Sequence, residues 1–443
     1  QGVKFVFGGT PPVVEKVARL GFFDACFDGT QTTEEIIAYL KGRPVSGAQP
    51  EDYPQTTVER ILWKRPFPLI RHHFGLPTRK ATEEGIREIA RSGMLDVISL
   101  GIDQDAQENF FHPERQEKRR TGAGGVPVRT PDDYRRLYQA SRTGNYPLMR
   151  TYSGTDDFIR LAEMYVDTIH IAWAAVPLFW FNQMDGRGPW GLEASIRKHQ
   201  ELYAWYGERN IPVEANEAHH WGMRDAPDAV FVLSAYLAAY NARHFGVRDH
   251  IVQMMFNSPP GLSDAMDIAK MVAVKEMISR LEDQDFNLWW QTRTGLLSYP
   301  IDKDQARAHL ATSVFVQAAL KPDIIHVVGY PEADHAVTAG EVIESCKLAR
   351  KAIVNAMNAN LDLTELSGVQ ARAQELITET SGLLEKIQQL GAASREDPLT
   401  DPANLAKAVA AGILDAPQLV NNKFARGDIV TRIDDRGACI AEE

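Results

Sequence analysis

Several polar side chains stand at the ends of short apolar runs, and their types suit chemistry on a small acid. Arg150 follows Pro147-Leu148-Met149. A guanidinium at such a place offers a planar fork of donors that matches a carboxylate, or else pairs with a neighbouring acid for structure alone. Glu217 lies two residues before His219, and on a strand that spacing puts both on one face. They would then form an acid/base pair, part of a hydrogen-bonding shell, or a satisfied polar layer. Arg71, Asp103, Gln107, Tyr152, Glu214, Gln291, Arg293, Glu332 and His335 occupy similar ends of apolar runs.

The pairs His72-His73 and His219-His220 raise the question of a metal. Zinc needs three or four converging ligands, while adjacent histidines on a strand point to opposite faces. No HExxH motif occurs, so no metal is expected. Near the start, Gly8-Gly9 and Thr10 follow the apolar run Val3–Phe7. Paired glycines there let backbone approach a phosphate or nucleotide closely, or make a plain turn.

The elements that must position these residues are regular. Short apolar runs alternate with helical segments at Phe67–Phe74, Leu95–Ile102, Tyr146–Tyr152, Thr168–Trp173, Ile211–Ala218, His250–Phe256, Phe286–Thr292 and Asp323–Tyr330. Eight βα units predict an α/β chain closed into a parallel (β/α)8 barrel, with an open doubly wound sheet as the rival. In such a barrel the site lies at the C-terminal ends of the strands, where the polar residues above fall. Upstream, Val3–Phe7, a helix, Phe22–Phe27 and the capping box Thr32-Thr33-Glu34-Glu35 read as βαβα, as at the end of a Rossmann-like sheet. The expected divisions are residues 1–43, a linker over 44–66 containing Pro44, Gly47, Pro50 and Pro54, a barrel over 67–360, and an extension over 361–443. Helices are predicted over Gly340–Asn358 and Val369–Leu390, followed by an irregular tail with short strands.

Composition bounds the partners. A chain of 443 residues with 44% hydrophobic and 24% charged residues is an ordinary globular enzyme of two or three domains. A net charge of −11 argues against a nucleic-acid surface. Cys26, Cys346 and Cys439 are too few and too scattered for a disulfide framework, which fits a reducing, cytoplasmic setting. The apolar stretch Ala229–Ala242 is too short to span a bilayer and reads as a core helix. The opening Gln1-Gly2-Val3-Lys4-Phe5 shows no signal peptide and reads as the interior of a domain.

From about Phe67 to Glu443 the chain resembles the large catalytic subunit of adenosylcobalamin-dependent glutamate (methylaspartate) mutase. The resemblance is carried by Pro147-Leu148-Met149-Arg150 with Gly154-Thr155, Pro212 to Glu217, and Pro331-Glu332-Ala333. Gly412-Ile413-Leu414-Asp415-Ala416-Pro417 and Asp434-Asp435-Arg436-Gly437-Ala438-Cys439 add to it. Residues 1–43 resemble the last two βα units of a cobalamin-binding domain, in which Gly8 and Gly9 would pack against the nucleotide tail of the corrin. The Asp-x-His-x-x-Gly signature that ligates cobalt does not occur, so an upstream segment or a partner subunit is expected to supply it.

The resemblance implies adenosylcobalamin as cofactor, a small carboxylic or amino acid as substrate, a cobalamin-binding half-domain or subunit as partner, and a homodimer formed through the barrel. It makes Arg150 a substrate-carboxylate ligand, Glu332 with Gly329 a contact for the adenosyl ribose, and Glu217 and His219 holders of the migrating substrate. The family's other two carboxylate-gripping arginines fall near Gln107 and within His72-His73-Phe74, where none stands. Its amine-binding glutamate falls in Ile171-Ala172-Trp173, and a lysine expected before Pro331 is replaced by Gly329-Tyr330. Glutamate is therefore not the expected substrate. The rivals are another cobalamin-dependent isomerase or aminomutase and an inactive cobalamin sensor or carrier; the strand ends show no Schiff-base lysine for the aminomutase.

Overall fold

The computed structural model of the chain describes residues 3–43, 49–393 and 395–442, in two units divided between Pro54 and Gln55. Pro44 and Gly47 of the expected linker lie outside the described residues. The first unit is a two-stranded parallel sheet, β1 (Val6–Gly8) and β2 (Ala25–Phe27), with helices Pro11–Ala18 and Thr33–Leu40. The second helix opens on the capping box read from the sequence: the Glu35 amide donates to Thr32 Oγ1 and the Thr32 amide to the Glu35 carboxylate. No described residue of this unit is fully buried, and Val3, Phe5, Leu20 and Phe22 stand exposed.

The second unit carries β3 (Leu69–Phe74), β4 (Val97–Leu100), β5 (Leu148–Arg150), β6 (Ala174–Ala175), β7 (Val213–Ala215), β8 (Asp249–Phe256), β9 (Asn287–Thr294) and β10 (Ile324–Val327). All neighbouring pairs are parallel, in the order β5-β4-β3-β10-β9-β8-β7-β6. The open edge is closed by the Ala172 amide, which donates to the Met149 carbonyl at 2.8 Å. The sheet is thus the expected α/β barrel, each strand beside its sequence neighbour, and not the open sheet.

One expected strand is displaced. Thr168 and Ile169 close the helix Phe158–Ile169, and His170, left-handed at φ 46°, turns the chain before β6 begins at Ala174. The expected linker also ends early. Helix Thr57–Lys64 lies within it, yet Ile61 is buried in the barrel's floor and Thr57 Oγ1 donates to the Ala172 carbonyl at 2.6 Å. That helix is the barrel's plug, not a tether.

Alternation along the strands builds the lumen in layers. Leu69, Val97, Leu148, Trp173, Ile251, Trp289 and Ile324 form an apolar floor over Ile61. Two residues further along their strands stand Arg71, Ser99, Arg150, Gln253, Gln291 and His326, all buried. The polar layer therefore sits directly above the apolar one, toward the C-terminal mouth.

Beyond the barrel, helix Ala339–Ala359 closes the eighth unit and helix Ser367–Leu390 packs across helices Asp228–His244 and Asp264–Ser279. The tail holds an unforeseen helix, Pro402–Ala410, and the antiparallel strands β11 (Thr431–Ile433) and β12 (Cys439–Ala441). A buried charge cluster pins this extension to the barrel wall. Lys270 Nζ lies 3.1 Å from Asp267 and 3.4 Å from Asp228, and Asp228 accepts the Cys439 amide at 3.0 Å.

Candidate active site

Arg71 is the hub of the polar layer. Its Nη1 donates to Glu214 at 2.6 Å and to Gln291 at 2.9 Å, its Nε donates to Ser99 at 2.8 Å, and its Nη2 lies 3.2 Å from His73 Nε2. Burial and the neighbouring Arg150 pull its pKa down to about 9, against the pull of Glu214, so it stays charged at neutral pH. Burial alone would raise Glu214; Arg71 and Arg150 outweigh it and hold the carboxylate ionised. Trp173 donates Nε1 to Glu214 at 2.6 Å, and both guanidiniums lie 5.6 Å from its ring centre.

Arg150 is placed differently. It is 1% exposed, reaches Ser99 through Nη1 at 3.3 Å and lies 4.0 Å from Glu214. Its Nε and Nη2 have no acceptor, which for buried guanidinium donors is costly unless something completes them. Arg293, at the mouth end of β9, is half-buried, and its guanidinium has no hydrogen bond or ion pair among the described residues, its Nε being enclosed without an acceptor. Arg71, Arg150 and Arg293 act together on the His73 ring, whose pKa lies well below the usual range through burial first and these cations second.

Hydrogen bonds continue from this cluster to the far wall. Gln291 donates to Gln253 at 3.1 Å, and Gln253 Nε2 meets His219 Nδ1 at 2.9 Å. The His219 and His220 ring centres are 4.1 Å apart. Around them stand Phe179, Trp180, Phe181 and Trp221, with Trp180 5.6 Å and Phe181 5.7 Å from the His220 ring. Both His220 nitrogens have no partner, while Trp180 Nε1 faces the Glu217 carboxyl and helps to offset the effect of its burial. His219 and His220 are held well below the usual imidazole range by burial and by surrounding charges, among them Arg187 and Arg224.

A family model for the methylaspartate mutase E chain (MutE) matches residues 148–443. The chain belongs to that family. The E-chain match runs from β5 through the extension, covering Arg150, Glu214, Glu217, His219, Arg293 and Glu332 but not Arg71, His73 or Gln107. At the level of the family this is a cobalamin-dependent mutase, an isomerase that works with a cobalamin-binding subunit. No curated protein matches the chain. Among solved structures, a Rubisco-like protein from Rhodopseudomonas palustris is 12% identical over 70% of this chain and 69% of that chain, with a TM-score of 0.38. A truncated 3-deoxy-D-arabino-heptulosonate 7-phosphate synthase from Thermotoga maritima is 15% identical over 69% of this chain and 90% of that one, with a TM-score of 0.37. The barrel stands on its own strand order, not on these distant likenesses. No helix of the described residues is long and apolar enough to cross a membrane.

Within the E-chain barrel, the residues singled out from sequence do not all converge. Glu217 and His219 are not on a strand: β7 ends at Ala215, and Glu217 precedes the helix Ala218–Gly222. They do not bond to each other. Glu217 instead accepts from the Phe179 amide at 3.1 Å and Trp221 Nε1 at 2.9 Å. Burial drives its pKa up to about 8 despite these bonds. Gln107 turns to its own loop, donating to the Ile102 carbonyl at 3.0 Å. His73 lies inside the mouth, with Nδ1 3.2 Å from the Tyr152 hydroxyl. Glu332 Oε1 accepts the Gly329 amide at 2.7 Å and lies 3.3 Å from His72 Nε2. A Cβ on Gly329 would come within 2.8 Å of Val337, so packing inside the chain already accounts for that glycine.

Gly8, Gly9 and Thr10 belong to the first unit. Thr10 precedes helix Pro11–Ala18 without a side-chain cap. A Cβ on Gly9 would come nearest to Phe7 and Val13, while one on Gly8 would meet nothing within 4 Å. The open surface at Gly8 is compatible with close approach of a flat group, and no contact inside the unit demands the glycine. Arg71, Arg293, Gln253 and His326 carry more of the lumen than the sequence reading gave them. The period-two step from the apolar floor was the signal that finds Gln253 and His326.

Proposed function

We propose that the barrel is the catalytic component of an adenosylcobalamin-dependent carbon-skeleton mutase for a small carboxylic or amino acid other than glutamate. The observation that carries this reading is Arg150, buried at a strand end inside the family-matching barrel with two donors lacking any acceptor. A substrate carboxylate is the group that completes it.

When bound, adenosylcobalamin supplies the radical that starts such a rearrangement. The remaining work falls to this chain. Arg150 and Arg293 take the carboxylate, and Arg71 with Ser99 and Trp173 holds Arg150 in place. Glu332 has Oε2 free at the rim for a ribose hydroxyl of the cofactor. Glu217, mostly protonated at pH 7, is fixed between Phe179 and Trp221 and shapes the far wall. The aromatic wall excludes water from reactive carbon. Gly8 and Gly9 offer backbone toward the corrin's tail, with the cobalt ligand coming from outside this chain. The assembly is a homodimer in the cytoplasm.

Glutamate is disfavoured because the two positions that resemblance aligns with further arginines hold Gln107, tied to Ile102, and His73, held neutral. Resemblance aligns the amine-binding position with Ile171-Ala172-Trp173, which supplies no carboxylate and of which Ala172 and Trp173 lie in the apolar floor. Assaying the complete enzyme with glutamate and 3-methylaspartate tests this. Turnover of either at the rate of a genuine glutamate mutase contradicts it.

A further inference from the structure

We infer that the substrate is a small carboxylate carrying no ammonium group, its carboxylate taken by Arg150 and Arg293 and its remainder laid against the Trp180–His220 wall. This rests on reading the barrel mouth as the mutase's substrate site.

The charges of the lumen carry the argument. Three guanidiniums, Arg71, Arg150 and Arg293, face it, and the carboxylate buried among them, Glu214, is consumed by Arg71 and Trp173. Two further acids near the mouth, Glu217 and Asp185, are engaged by the protein. Both oxygens of Glu217 accept hydrogen bonds from the protein. Asp185 is paired with Arg187 at 2.6 Å and also accepts the Phe181 and Asn182 amides. Glu332 stands at the rim with Oε1 on the Gly329 amide and beside His72, and its Oε2 is the oxygen assigned above to the cofactor's ribose. On the cationic side, the Arg224 guanidinium donates to the His220 carbonyl and lies over Trp180 at 4.1 Å.

An ammonium entering this space would meet uncompensated like charge at low dielectric, with no carboxylate aimed at it. The same surroundings hold His73, His219, His220 and His326 neutral, burial being the larger cause and the guanidiniums the next for most of them. The groups left without partners are of two kinds. Cationic donors remain on Arg150 and Arg293, which call for a carboxylate. Neutral groups remain on His220 and Asn216 Oδ1, which suit an apolar skeleton bearing at most a hydroxyl or carbonyl.

The test is isothermal titration of the full-length chain with matched pairs: glutarate against glutamate, methylsuccinate against 3-methylaspartate, and butyrate against 2-aminobutyrate. The amine-free member should bind on the order of tenfold tighter or better in at least one pair, and Arg150→Gln and Arg293→Gln should each weaken it. Arg293→Gln leaves no protein partner stranded, so it keeps the comparison open if Arg150→Gln folds poorly. Amino acids binding as tightly as their amine-free partners, with the same dependence on the arginines, would overturn the inference and leave the mutase reading standing. Binding of no carboxylate at all, or binding indifferent to both arginines, would overturn the substrate site itself and the inference with it.

Discussion

At the scale of single residues, the three lumen arginines differ in what they owe the fold. Arg71 makes contacts to Glu214, Gln291, Ser99 and His73, so replacing it strands a buried carboxylate. Arg71→Met should cost about 3–5 kcal/mol in urea denaturation. The Arg293 guanidinium has no partner among the described residues, so Arg293→Gln should change stability by no more than about 0.5 kcal/mol while weakening substrate binding. Glu217 gives a pH signature. Its pKa is raised from the usual 4.5 to about 8, so the folded state binds the extra proton between those values. Its contribution to stability is full below about 4.5 and is lost as pH rises through about 8. Melting temperature should therefore fall between pH 5 and 8, and Glu217→Gln should flatten that slope; an unchanged slope would show that Glu217 is not the source. Arg293 was visible in the sequence as a polar residue ending an apolar run. Its lack of partners was not, because that depends on which neighbours from β3, β5 and β10 reach it.

At the scale of elements, most barrel strands were legible because each is a short apolar run bounded by turn residues. The fourth was not. Helix Phe158–Ile169 runs into Ile171-Ala172-Trp173 without a glycine or proline to break it, and only the left-handed turn at His170 separates them. Glu217 and His219 misled for a related reason: the period-two rule holds only while the strand lasts, and β7 stops at Ala215. The plug helix Thr57–Lys64 was hidden among the prolines and polar residues around it. The C-terminal extension makes its own prediction. Lys270→Met leaves Asp228 and Asp267 buried without their cation and should destabilise the chain by about 3–5 kcal/mol. Because Asp228 also holds the Cys439 amide, the buried Cys439 thiol should become reactive to a thiol reagent in that variant. A thiol that stays inert would mean that β12 is anchored by other contacts.

At the scale of the whole molecule, the two units differ in self-sufficiency. The barrel has a continuous floor and polar layer, whereas the first unit has two short strands and no fully buried described residue. Two strands seldom hold a fold by themselves. A peptide of residues 1–54 should show no cooperative melt by circular dichroism, while residues 55–443 should melt cooperatively. The barrel and its family were legible in the sequence through strand count and the ordered motifs from Arg150 to Cys439. The balance of charge in the lumen emerged only from the packing. The central claim, a cobalamin-dependent mutase whose carboxylate ligand is Arg150, is met most directly by anaerobic EPR. The chain would be combined with its cobalamin-binding subunit, adenosylcobalamin and the tightest-binding carboxylate. A substrate-dependent radical signal that Arg150→Gln abolishes is predicted; a complete complex that gives no such signal, or one that Arg150→Gln leaves intact, would contradict it.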